Sequence, residues 1–75
     1  MRQFRRHQVY LFLRKYQRRH GFPPTTTEIG QALGIARSYA YALVVDLVEE
    51  GAVHRGPTYV RLFYVPDEPN VLIGG

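Results

Sequence analysis

The 75 residues include no cysteine, which excludes a disulfide framework and a thiolate metal site and fits a reducing compartment. No apolar run approaches the roughly 18 to 20 residues needed to cross a bilayer. The arginine-rich start lacks the apolar stretch and small-residue cleavage site of a secretory signal, so the chain is expected to be soluble and cytoplasmic. The histidines, His7, His20 and His54, stand at no ligand-like spacing with one another or with acids, and no serine occupies a nucleophile motif. Neither catalysis nor a metal, cofactor or small-molecule ligand is expected. There is no internal repeat and no low-complexity tract. Acid is nearly missing from the first half: Glu28 apart, the carboxylates begin at Asp46.

What the sequence does contain is cationic at one end. The formal net charge is +4, and Arg2, Arg5, Arg6, Arg14, Lys15, Arg18 and Arg19 all precede residue 20. A surface of this density attracts polyanions by releasing their counterions, and nucleic acid is the commonest such partner for a small basic domain. The bland alternative is a solvated helix face. A chain of this length builds one domain around one small core and has no room for a second.

The stretch GFPPTTTEIGQALGIARSYAYALVVDLVEEG, from Gly21 to Gly51, reads as two short helices joined by a tight turn. Pro23 and Pro24 forbid helix upstream, and Thr25 followed three residues later by Glu28 makes a capping box. Ile29 and Leu33 share one face, and Gly34 supplies the left-handed residue that closes the helix. Ile35 is placed as a plug between the helices. From Arg37 onward Ala40, Val44, Leu47 and Val48 recur at helical spacing until Gly51. This phase predicts that Arg37, Ser38, Tyr41, Ala42 and Val45 face outward, with Tyr39 at the boundary; Leu43 is also expected to be exposed. An earlier helix is predicted from about Phe4 to His20, with an apolar stripe of Val9, Tyr10, Phe12, Leu13 and Tyr16. Ala52 to Arg55 and Tyr59 to Val65 read as strands around the turn residues Gly56, Pro57 and Thr58. The expected organisation is a domain over residues 1–65 and a tail over 66–75.

On these residues the chain resembles a known family. Residues 9 to 64 are similar to the winged helix-turn-helix domain at the N-terminus of LexA-type repressors, most specifically in GFPPTTTEIGQALGI; the exit VVDLVEEGAVHR is more generic. The resemblance implies a mainly α fold with a small β-hairpin, a three-helix winged helix-turn-helix, acting as a small prokaryotic or phage regulator on double-stranded DNA in the nucleoid. Two departures stand out. The N-cap of the third helix falls on Ala36, which has no side-chain acceptor, and the peptidase half of such repressors has no counterpart in these residues.

In a winged helix the third helix enters the major groove and its opening residues reach base edges. Arg37 is the expected reader of guanine. Ser38, Tyr39 and Tyr41 can bond base or phosphate, the two tyrosines alternatively packing half-buried against the second helix, and Ala42 and Val45 can touch only a thymine methyl. Thr25, Thr26 and Thr27 at the start of the second helix suit a phosphate. His54, Arg55, Thr58 and Arg61 are expected to cluster at the wing and meet the backbone. Asp46, Glu49 and Glu50 oppose the macrodipole at the other end of the third helix, so helix stability does not explain them. A homodimer would double the contacts, through the strand YVRLFYV, through Leu43 and Val45, or through the tail residues Val71, Leu72 and Ile73. Two other readings exist: a protein-interaction module of a replication, packaging or transcription complex, motivated by the apolar run from Tyr39 to Val45, and a first helix lying on an anionic membrane. The second conflicts with the core's need for that helix's apolar stripe.

Overall fold

A computed structural model of the chain describes residues 2–56 and 61–66, with side chains from Phe4 onward. Three helices, α1 (Arg2–His20), α2 (Thr26–Leu33) and α3 (Arg37–Glu50), precede a two-stranded antiparallel sheet of β1 (His54–Arg55) and β2 (Phe63–Tyr64). Helix α1 begins two residues before the predicted start. It ends where expected, at Gly21 (φ 82°), whose N–H donates to the Gln17 carbonyl at 2.9 Å. Arg18, Arg19 and His20 occupy its last turn, where cations favour the negative end of the helix dipole.

Helix α3 packs against both α1 and α2. Val9 and Leu13 of α1, Ile29 of α2, and Ala40, Leu43 and Val44 of α3 have no exposed surface, and Leu47 has almost none. Val53, Phe63 and Val65 close the core from the hairpin side. Each fully buried side chain of this kind stabilises the fold by about 1.5–3 kcal/mol relative to exposure. Leu43 corrects the sequence expectation. It lies three residues after Ala40 and four before Leu47, so one helical face carries all of them, and it belongs to the core rather than to an exposed contact. Val48, expected inside, is half-buried at the edge.

The strands are shorter than predicted. Ala52 and Val53 are drawn into the exit turn of α3, both donating their N–H to the Leu47 carbonyl, at 3.0 and 3.3 Å, and this bends the chain before pairing begins. The register sets His54 opposite Tyr64 and Arg55 opposite Phe63, and the Gly56 N–H donates to the Leu62 carbonyl. The Gln17 side chain pins the far end, donating to the Val65 carbonyl at 2.7 Å and accepting its N–H at 2.9 Å. Thr58 and Tyr59, and with them the expected turn and first residues of the second strand, lie outside the described residues, as does the expected tail from residue 67.

Candidate nucleic-acid interface

The approach to the site is built at Thr25. Its backbone is extended (φ −81°, ψ 163°); its hydroxyl accepts the Glu28 N–H at 3.0 Å, and its own N–H donates to Glu28 Oε1 at 2.8 Å. The predicted capping box is therefore complete. Thr26 opens the helix half-buried and Thr27 is exposed. Downstream, Gly34 (φ 70°) closes α2 in the left-handed conformation, and the carbonyl of Gly30 accepts the N–H groups of both Gly34 and Ile35. Ile35 packs against the core as the expected plug.

Ala36 caps α3 with no side-chain hydrogen bond, as read from the sequence. The backbone still turns cleanly, with the Ala40 N–H donating to the Ala36 carbonyl at 2.9 Å. Arg37 and Ser38 are exposed in this first turn. Thr26, Arg37, Ser38 and Tyr41 line one cleft of about 290 Å³ between the starts of α2 and α3. Four residues selected from the sequence for ligand contact thus converge from two elements.

Tyr41 leans its ring edge-on against Phe63, with centroids 5.8 Å apart, and Arg55 lies with its guanidinium 5.3 Å from the centre of the same Phe63 ring. The hairpin is thereby coupled to the outer face of α3 through one aromatic side chain. Successive strand residues point to opposite faces, so Arg55 shares the side of Phe63 and Tyr41, whereas His54 stacks edge-on with Tyr64 on the other. Tyr39 is half-buried against the core, and Ala42 is also half-buried.

Arg61 departs from the predicted cluster at the wing turn. Its guanidinium folds back over α2: Nη1 donates to Glu28 Oε1 at 2.9 Å and to the Pro23 carbonyl at 2.8 Å, and Nη2 to Glu28 Oε2 at 3.2 Å. Nη1 also reaches the Tyr16 hydroxyl at 3.4 Å, and the group sits 4.5 Å from the centre of the Phe22 ring. A fork engaged by a bidentate carboxylate and a carbonyl is not available to a phosphate in this arrangement. The hydrogen bonds from Arg61 hold the Glu28 carboxyl below its ordinary range, helped by the Thr25 N–H and opposed by partial burial. Reciprocally, the hydrogen bonds to Glu28 raise the Arg61 guanidinium further above its already high value.

Three features escaped sequence reading. The pairing of Arg61 with Glu28 spans 33 residues, and no local spacing signals it. Gly30 reads as an ordinary helix interior, yet a Cβ there would meet the Ile35 carbonyl oxygen at 2.7 Å. Glu50, unexplained by helix stability, pairs with Arg6 Nε at 3.0 Å and so joins the end of α3 to the start of α1. Among the described residues no cluster of three or more His, Asp or Glu side chains could hold a metal ion, and no helix is long and apolar enough to cross a membrane.

Comparison with known proteins agrees with this architecture. A family model described as the LexA DNA binding domain matches residues 2–61. Similar proteins include the LexA repressor of Staphylococcus epidermidis, 32% identical over 65 residues, covering 85% of this chain and 32% of that protein. The LexA repressor of Syntrophomonas wolfei is 34% identical over 67 residues, covering 87% of this chain and 33% of that protein. That of Bacillus velezensis is 33% identical over 66 residues, covering 87% and 32% respectively. The chain spans about a third of the length of these relatives. With a family match across most of its length and a three-helix, hairpin-bearing fold beneath it, this chain belongs to the LexA DNA binding domain family, a DNA-binding domain of the repressor type.

Proposed function

We propose that the domain binds double-stranded DNA sequence-specifically as the reading head of a small prokaryotic or phage transcriptional regulator. The opening turn of α3 enters the major groove and the hairpin lies along the backbone. The observation that carries this reading is the cleft gathering Thr26, Arg37, Ser38 and Tyr41 at the mouth of the helix-turn-helix. Arg37 supplies the bidentate donor suited to guanine. Thr26 and Ser38 supply hydroxyls, and the free N–H groups of the first turn of α2 favour a phosphate. Arg55 shares the Phe63 ring with Tyr41, which supports a role for it along the backbone. At the opposite end of α3, Glu49 is exposed and repels phosphate, while Glu50 is paired with Arg6; this favours entry by the N-terminal half. A regulator of this kind acts by occupying its site and excluding or recruiting other machinery, and two-fold pairing would set the spacing of two half-sites.

The protein-interaction reading keeps less of its motivating observation, with Tyr41 the one exposed large apolar side chain of the run from Tyr39 to Val45. Ala40, Leu43 and Val44 are core, and Tyr41, although 46% exposed, rests on Phe63, so packing accounts for much of the run's apolar character.

The test pairs two substitutions on a duplex selected from a random pool. Arg37→Ala is expected to weaken the selected site by about 1–3 kcal/mol and relax preference at one base pair. Arg55→Ala is expected to weaken all duplexes similarly and to flatten the salt dependence by about one unit of slope. Unchanged selectivity in the first, or a purely sequence-selective loss in the second, contradicts the assignment.

A further inference from the structure

Arg61 joins the hairpin to the loop before α2 and to the first turn of α2. It stands just ahead of β2, it takes the Pro23 carbonyl from the loop before α2, and it grips both oxygens of Glu28 in the first turn of α2. Phe22 and Tyr16 provide the aromatic faces beside it. Glu28 is the only carboxylate on α2. The capping box needs a Glu or Gln at that position, yet an unpaired carboxylate in the same first turn as Thr26 would repel a phosphate seated at the start of α2, a repulsion that salt screens only over a Debye length of about 8 Å.

We infer that Arg61 and Glu28 form a charge-balanced brace, in which Arg61 is a positioning residue that holds the returning arm of the wing against the helix-turn-helix and cancels the carboxylate the cap requires. The inference deepens the DNA-binding reading and rests on it. A brace acting only through structure would weaken binding whichever partner is removed. A charge-balancing brace gives opposite signs: removing the cation leaves a repulsive charge beside the duplex, and neutralising the anion while keeping the cap leaves an attractive one.

The experiment measures affinity for a pool of short random-sequence duplexes as a function of salt, for the parent chain, Glu28→Gln, Arg61→Met and the double variant, with thermal melting of each as the check on folding. Glu28→Gln is expected to bind several-fold more tightly at low salt, with a slope steeper by about one. Arg61→Met is expected to bind several-fold more weakly with a shallower slope. The double variant is expected to return to the parent's slope while losing part of its affinity, because slope reports charge and affinity also reports placement. Weaker binding in Glu28→Gln, or parental slopes in both single variants, overturns the inference while leaving the DNA-binding reading intact. A parent chain that shows no salt-dependent binding overturns both. If Arg61→Met does not fold, Glu28→Gln decides alone, since Gln preserves the cap.

Discussion

Gly30 shows how much a single missing Cβ sets. In an isolated helix, alanine in place of glycine stabilises by about 1 kcal/mol. Here the added carbon would lie 2.7 Å from the Ile35 carbonyl oxygen, a backbone atom fixed by the turn between α2 and α3. Overpacking of this kind costs about 1–3 kcal/mol and outweighs the propensity gain, so Gly30→Ala is expected to lower stability in a urea melt. A gain would contradict the close approach of the turn. Glu28 makes a second prediction at this scale. Its pKa is held below the ordinary value of 4.5 in the folded chain by Arg61 and the Thr25 N–H. Its contribution to stability is therefore present above the unfolded value and is lost as pH falls through the depressed folded value. The melting temperature is expected to drop on acidification below about pH 4.5, and the drop is expected to be shallower in Glu28→Gln. The pair is about a third exposed and solvent screens it, so the difference is small; equal slopes in the two proteins would remove Glu28 from this role.

At the scale of elements, α3 supplies Ala40, Leu43, Val44 and Leu47 to the core and, on the proposed reading, the contact face. Leu43→Ala is expected to cost about 2–5 kcal/mol, as a fully buried leucine does. A loss within the roughly 0.5 kcal/mol typical of a surface site would show that the helix is rotated from the phase described here. Signals that act over three or four residues made most of the fold legible in the sequence: the Thr25 and Glu28 box, the stops at Gly21, Gly34 and Gly51, and the apolar spacing of Ala40, Val44 and Leu47 each correspond to an observed boundary or face. Leu43 also sits at helical spacing from Ala40 and Leu47, so a stripe limited to Ala40, Val44, Leu47 and Val48 is too narrow for the buried face. The strands are shorter than β-branched and aromatic composition suggests because Ala52 and Val53 serve the exit turn of α3. Of the site, Thr26, Arg37, Ser38 and Tyr41 were legible because the cap and helical phase fix their direction. The place of Arg61 was not, because a partner 33 residues away is chosen by tertiary packing.

Over the whole molecule, charge and shape give the domain a direction. Basic side chains crowd α1, and the exposed start of α3 presents Arg37. Acids collect at the other end of α3, where Glu50 is taken up by Arg6. On the proposed reading, a duplex is expected to be drawn to the mouth of the helix-turn-helix, with Glu49 opposing approach at the other end of α3. Titration of the labelled chain with a selected duplex, followed by the backbone amide resonances, tests that orientation most directly. Arg37, Ser38 and Tyr41, with Thr26, Thr27 and Arg55, are expected to shift most, while Glu49 and Glu50 stay in place. Shifts confined to the C-terminal end of α3 or to the outer face of α1, with Arg37 and Ser38 unmoved, would contradict the account.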